Sequence, residues 1–304
     1  MTAPDHGHPR RSLGGRVVDD ALDRVGFSPS PDVQIVETAR PRFMGGSTVL
    51  VQSAWNFLPD EDFAELARPY PARMQRRMRQ RRLLAALNVR RSSRVVALTA
   101  AMADLVTRRT GREVEVSEVL HPMDVLDPAD GVAGDVAGVP AEPFVLVPGT
   151  ITWYKDPLTA LALTASRSDL PTRVVLAGND DGSGCWQEVR RVGDLLGLDV
   201  TGEPVSRPVM VALLRRASAV LLTSRLESLG FSMTEALALS PGDVVASAIP
   251  AHTDLAARAG RTPSWLGQEP AASRLPVLPR PDDLRASWVA LGRTLGLPRT
   301  EDVL

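Results

Sequence analysis

Two carboxylates, Glu227 and Glu235, stand eight residues apart in SRLESLGFSMTEALALS (224–240), and Lys155 stands in PGTITWYKDPLTALAL (148–163). A carboxylate accepts two hydroxyl hydrogen bonds, so a vicinal diol is its natural partner. On one straight helix, eight residues make about 2.2 turns, which would put both carboxylates on one face. The alternative places Glu227 in the turn before the helix, with Ser228 to Phe231 forming its N-terminus. The N–H groups and dipole of such a terminus suit a diphosphate. Paired glutamates also occur by chance on solvated helices, so the setting matters more than the spacing. Lys155 is the only lysine, and arginine supplies the other 34 of the 35 basic residues. A compact ammonium and a planar guanidinium are not equivalent at a crowded anion site, which favours a phosphate role for Lys155 over that of an ordinary surface lysine.

These groups need a scaffold. Near-continuous apolar runs FVLVPG (144–149), RVVLAG (173–178), AVLLTS (219–224) and DVVASA (243–248) suit strands buried on both faces of a parallel sheet. Helical stretches separate them: DPLTALALTA (156–165), with Asp156 as N-cap and Pro157 at the first position, CWQEVRRVGDLLG (185–197), and PVMVALLRRA (208–217). Alternation of this kind predicts a doubly wound α/β sheet. In such sheets ligands bind beyond the carboxyl ends of the strands, where both SRLES and GTITWYK fall. The first half predicts strands at 32–39, 48–54, 94–100 and 114–122 and a helix at 73–87. We expect a tail and first helix over residues 1–30, a partial Rossmann-like domain over 31–137 and a second Rossmann-like domain over 138–304, with a linker at 127–142.

The motifs in their order resemble the retaining family-4 glycosyltransferases, whose E-x7-E motif lies in the donor domain of a two-domain GT-B fold. The matching stretches are GTITWYKD, ASAVLLTSRLESLGFSMTEALA and VVASAIPAHTDLA, about 120 residues in all. The resemblance implies that Glu235 binds the donor ribose and Glu227 contacts the transferring sugar. It implies that backbone amides of Leu229, Gly230 and Phe231 meet the diphosphate with Lys155 beside it, that Ser228, Gly149 and Thr150 belong to the same donor site, and that the loop GEPVS (202–206), with Pro204 and Val205, lies against the base. The family commonly has arginine where this chain has Thr150, a gap that Arg207 could fill. VLVQSAWNFLP (49–59) resembles the acceptor-side loop facing the cleft, and RVVALTAAM (94–102) the strand before the crossover. The family's opening strands and glycine-rich loop are not matched, so the first domain reads as incomplete, and Gly45–Gly46 reads as a turn.

The expected activity is sugar transfer from a UDP- or GDP-sugar donor to an unidentified acceptor, with no metal and no cofactor beyond the co-substrate. The leaving phosphate itself would help deprotonate the acceptor. A non-catalytic nucleotide-sugar-binding protein and a sugar-nucleotide epimerase are the alternatives. The net charge of −1 gives no overall field for nucleic acid. A lone cysteine, Cys185, fits a reducing compartment, and neither a secretory leader nor a spanning segment is evident, so a cytoplasmic location is expected. Asp180 and Asp181 read as turn residues, and the four histidines lack metal-ligand spacing. The basic helix Arg73–Arg82 reads either as a solvated face or as a weak contact with anionic lipid; the narrow apolar face of Leu83, Leu84 and Leu87 favours the former.

Overall fold

A computed structural model describes residues 13–34, 47–119, 121–122, 138–268 and 278–302. The Gly45–Gly46 turn and most of the 127–142 linker lie outside these residues.

The first unit opens with α1 (Leu13–Arg24), β1 (Val33–Gln34) and β2 (Thr48–Val51). It continues with α2 (Asp60–Ala67), α3 (Ala72–Arg91), β3 (Arg94–Ala97), α4 (Ala100–Thr110) and β4 (Glu115–Val116). Its strands form an all-parallel sheet of order β1-β2-β3-β4. The second unit holds β5 (Val145–Pro148), α5 (Pro157–Ser166), β6 (Arg173–Ala177), α6 (Cys185–Leu196), β7 (Asp199–Glu203) and α7 (Arg207–Arg216). Then come β8 (Ala219–Leu222), α8 (Phe231–Leu239), β9 (Asp243–Ala246), α9 (Pro250–Arg258) and β10 (Ser264–Trp265). The last long helix is α10 (Pro281–Leu295).

The second sheet is also parallel throughout, in the order β10-β9-β8-β5-β6-β7. Its first strand, β5, therefore neighbours its fourth, β8. The chain winds outward in one direction from β5 and in the other from β8, and the crevice between their carboxyl ends is the topological switch point. Every residue of β5 and β8 is buried, as their unbroken apolar runs require. Each fully buried Val or Leu contributes about 1.5–3 kcal/mol through the apolar area it removes from water.

The two sheets turn their carboxyl edges toward one another. Beyond β2, the Ala54 N–H donates to Ser228 Oγ (2.7 Å), and beyond β3, Thr99 Oγ1 donates to Ser228 O (3.3 Å). The architecture is α/β, with two Rossmann-like parallel-sheet units facing across a cleft. Among the described residues the first sheet has four strands against six in the second. α10, although late in the chain, packs against α1 and reaches β2. Its Trp288 is fully buried and donates from Nε1 to His121 O (3.0 Å). No helix among the described residues is long and apolar enough to cross a membrane.

Three sequence expectations need correction. The strand expected over 114–122 contracts to Glu115–Val116, an exposed edge pair. Gly202 and Glu203, read as loop, belong to β7, an edge strand of alternating exposure whose polar residues hide the strand signal. Arg82, counted among the surface arginines, is only 4% exposed. Its guanidinium donates to Trp55 O (3.0 Å), Leu58 O (2.9 Å) and Asp60 Oδ1 (2.7 Å), and lies over the Phe63 ring.

Candidate functional site

Two loops leave the switch point, one after β5 and one after β8, and hydrogen bonds lace them together. Thr223 Oγ1 donates to Asp156 O (2.7 Å) and Lys155 O (3.2 Å), while Arg225 N–H donates to Tyr154 O (2.8 Å). Asp156 has φ +49°, and is the one non-glycine residue with positive φ among the described residues. A left-handed conformation costs a residue with a Cβ about 1–2 kcal/mol. Asp156 offsets that as the N-cap of α5, accepting from the Thr159 N–H (3.3 Å) and the Thr159 hydroxyl (2.9 Å). The bend directs Lys155 back across Gly149. A Cβ placed on Gly149, whose φ is +108°, would lie 3.6 Å from Lys155 Nζ.

Lys155 Nζ forms an ion pair with Glu227 Oε1. Both side chains are mostly withdrawn from water, at 15% and 12% exposure. Ser224 Oγ donates to the same oxygen (2.7 Å). Burial pushes the Glu227 carboxyl up, but the Lys155 ammonium, His252 and the Ser224 hydroxyl outweigh it and hold Glu227 below the ordinary carboxylate range. His252 is buried in α9, with Nδ1 2.9 Å from Ser247 O. Burial lowers its pKa, and the Lys155 charge adds to that against the opposing pull of Glu227 and of the hydrogen bond to Ser247.

Glu227 precedes α8, whose N-cap is Gly230 at φ +60°. The first turn of any α-helix has N–H groups without intrahelical acceptors, and here that turn faces the cleft. Glu235 follows one turn in, 7% exposed, and pairs with Arg207 at the start of α7. Phe231, beside the same turn, rests on Trp288 with ring centroids 6.4 Å apart. Gly230 is required here for a second reason: an added Cβ would come within 2.4 Å of Leu255 Cδ1. Gly230→Ala therefore combines left-handed strain with a clash against a buried side chain. We expect it to cost about 2 kcal/mol of stability, read as a lower midpoint in urea unfolding at unchanged slope.

The groups converge on a cavity of about 350 Å³ between the two units. It brings together Gly149, Thr150, Lys155, Arg207, Glu227, Ser228, Leu229, Gly230, Phe231 and Glu235. Pro204 and Val205 do not line it. Val205 packs against the apolar core instead, because β7 continues through Glu203 and leaves a short turn before α7. The Ser228 side chain is engaged by Ala54, so Ser228 ties the first unit to the start of α8. Gln52, Ser53 and Trp55 form the opposing wall, from the loop whose resemblance placed it at the cleft.

Sequence reasoning missed Tyr154, which lines the cavity, and His252. The signal for His252 was available: β9 lies next to β8, so the loop after β9 must sit beside the loop carrying Glu227. A second cavity of about 450 Å³ meets the first at Leu226 and Glu227, lined on one side by Leu58, Leu66 and Leu105 and on the other by Ile249 and Pro250. Among the described residues, no group of three or more His, Cys, Asp or Glu is placed to hold a metal ion. Cys185 is buried, and burial pushes its thiol up to about 12.

No protein-family profile matches the chain, and no curated protein matches it. Solved structures similar to it include an α,α-trehalose-phosphate synthase (UDP-forming) from Burkholderia vietnamiensis, at 12% identity and a TM-score of 0.49, covering 86% of this chain and 63% of that one. A sucrose-phosphate synthase from Thermosynechococcus elongatus shows 18% identity and a TM-score of 0.49 over 67% of this chain and 50% of that one. Anabaena HepE, in complex with UDP and glucose, shows 17% identity and a TM-score of 0.46 over 68% and 55%. The chain thus spans between half and two thirds of the length of these three.

Proposed function

We propose that this chain is a retaining glycosyltransferase of family-4 type that takes a UDP- or GDP-sugar as donor. One observation carries the reading: the two loops at the β5/β8 switch point bring a lone lysine, a largely buried glutamate and a helix N-terminus to one cleft, with Glu235 and Arg207 one turn along. A diphosphate laid on the start of α8 meets backbone N–H groups of Leu229 to Phe231, with Lys155 and Arg207 as cations. Glu235 then accepts the ribose hydroxyls, and Glu227 the hydroxyls of the transferring sugar.

The chemical requirement is to stabilise negative charge growing on the departing phosphate oxygens, which fixed donors in a water-poor cleft do well. Lys155, Arg207 and the helix terminus supply that charge, so no metal belongs to this reading. The acceptor enters through the second cavity, because it meets the donor cleft at Glu227. Its hydroxyl proton passes to the leaving phosphate on the same face.

The test is nucleotide release from a panel of UDP- and GDP-sugars, alongside thermal-shift binding. The expected result is slow release of one nucleotide in the absence of acceptor, with a rise in melting temperature for the same nucleotide. Binding without release would make the protein a nucleotide-sugar-binding module. Failure of every nucleotide to bind would remove the reading.

A further inference from the structure

We propose that the solvent face of α3 docks on an anionic lipid bilayer. α3 runs for twenty residues and contains no Asp or Glu. Its inward face carries Arg82, Ala85, Ala86, Asn88 and Val89, all buried, and the Arg82 hydrogen bonds clamp it to the first unit. The orientation of the outward face is therefore fixed by packing. That face exposes Leu83, Leu84 and Leu87 at 68%, 41% and 38%.

At 100° per residue, Leu83 and Leu87 stack one turn apart with Leu84 beside them. Arg73 and Arg76 extend the same face toward the N-terminus, and Arg90 and Arg91 extend it toward the C-terminus. Arg77, Arg79 and Arg81 flank it, and all seven of these arginines are exposed. An apolar patch ringed by cations is what an interfacial helix presents to the headgroup and acyl boundary.

The charge order points the same way. The first turns of α3 carry Arg73, Arg76 and Arg77 and no acid. Cations there oppose the helix dipole and repel one another at i, i+3 and i, i+4 spacing. A sheet of lipid phosphates relieves both penalties while taking up the leucines. A nucleic acid would meet the arginines but leave the leucines over a phosphate backbone, and α3 offers no aromatic ring for base stacking.

The test is flotation of the full chain with vesicles of phosphatidylcholine alone, or with about a third phosphatidylglycerol, at low and high salt. The expected result is binding to the anionic vesicles only, weakened by salt. Each basic residue near an anionic surface is worth about a fivefold change in partitioning, so Arg73→Gln with Arg76→Gln and Arg79→Gln should cut binding about a hundredfold. Replacing Leu83, Leu84 and Leu87 together with Gln should cut it at least about tenfold. All six positions are exposed, and an unchanged melting temperature would show that both variants still fold. Absence of binding to anionic vesicles at low salt overturns the proposal. So does full retention of binding by the leucine variant, or stronger retention of the chain by single-stranded DNA or an acidic protein than by the vesicles. None of these outcomes bears on nucleotide binding.

Discussion

Lys155→Ala lowers nucleotide release from a bound donor by about 10²- to 10³-fold, the usual cost of removing one fixed donor from a developing oxyanion, and changes donor affinity much less. The reason is the timing of the charge. Lys155 is paired with Glu227, so part of its field is directed at a carboxylate. The phosphate it assists gains charge mainly as the glycosidic bond breaks. Single-turnover rates and donor titrations on the same protein separate the two effects.

The same substitution has a signature in stability that a purely catalytic lysine would lack. Removing Lys155 strands Glu227 in a site where burial alone raises its pKa. Breaking a buried pair on one side costs about 3 kcal/mol here, the lower end of the usual range because both side chains keep some contact with water. In the native protein the Glu227 carboxyl is held below its unfolded value. Its contribution is therefore present above the unfolded pKa of about 4.3 and lost as pH falls through the folded value. In Lys155→Ala the folded value moves above the unfolded one. The carboxyl then stabilises below the unfolded pKa and loses that contribution as pH rises. The variant's deficit should accordingly grow as pH rises above the unfolded value of about 4.3, and adding Glu227→Gln should remove the growth. Melting curves across that pH window decide the point: a deficit constant with pH would detach Lys155 from Glu227.

Much of this arrangement is legible in the residues, for identifiable reasons. Strands buried on both faces announce themselves, so FVLVPG and AVLLTS point directly to β5 and β8 and to the loops that carry Lys155 and Glu227. Asp156 and Pro157 mark the start of α5 because capping chemistry is local. Edge strands are another matter. β7 and β10 are short or half exposed, and nothing in their composition separates them from loop, while the run at 114–122 marks β4 but not its two-residue length. The packing of α10 against α1 joins residues more than two hundred positions apart, and no local pattern encodes it. The Arg82 side chain shows the same limit. Its neighbours are solvated arginines, and the carbonyls of Trp55 and Leu58 with the Asp60 carboxylate and the Phe63 ring, all distant in sequence, draw it inward. His252 sits between these cases, since strand adjacency predicts its position but its own sequence neighbours do not.

Glu235→Ala should weaken nucleotide binding by about 30- to 150-fold, since two hydrogen bonds from a ribose diol to a carboxylate are together worth about 2–3 kcal/mol. The structure supplies a competing expectation of opposite sign. Glu235 also pairs with Arg207, and deleting it releases that guanidinium toward the diphosphate, which would tighten binding. The two contributions separate with a nucleotide lacking the ribose 2′ and 3′ hydroxyls. If Glu235 holds the diol, wild type should lose about as much affinity for the dideoxy nucleotide as Glu235→Ala loses for the natural one, and the variant should barely distinguish the two ligands. Arg207→Gln should then weaken both nucleotides alike, because a guanidinium directed at phosphate does not sense the ribose. If Glu235→Ala instead tightens binding to both ligands equally, Glu235 serves only to hold Arg207, and the ribose must be read from another wall of the cleft. Because the carboxylate is 7% exposed and sits one turn inside α8, the loss expected for the diol assignment should persist at high salt, where a contribution from exposed charges would be screened.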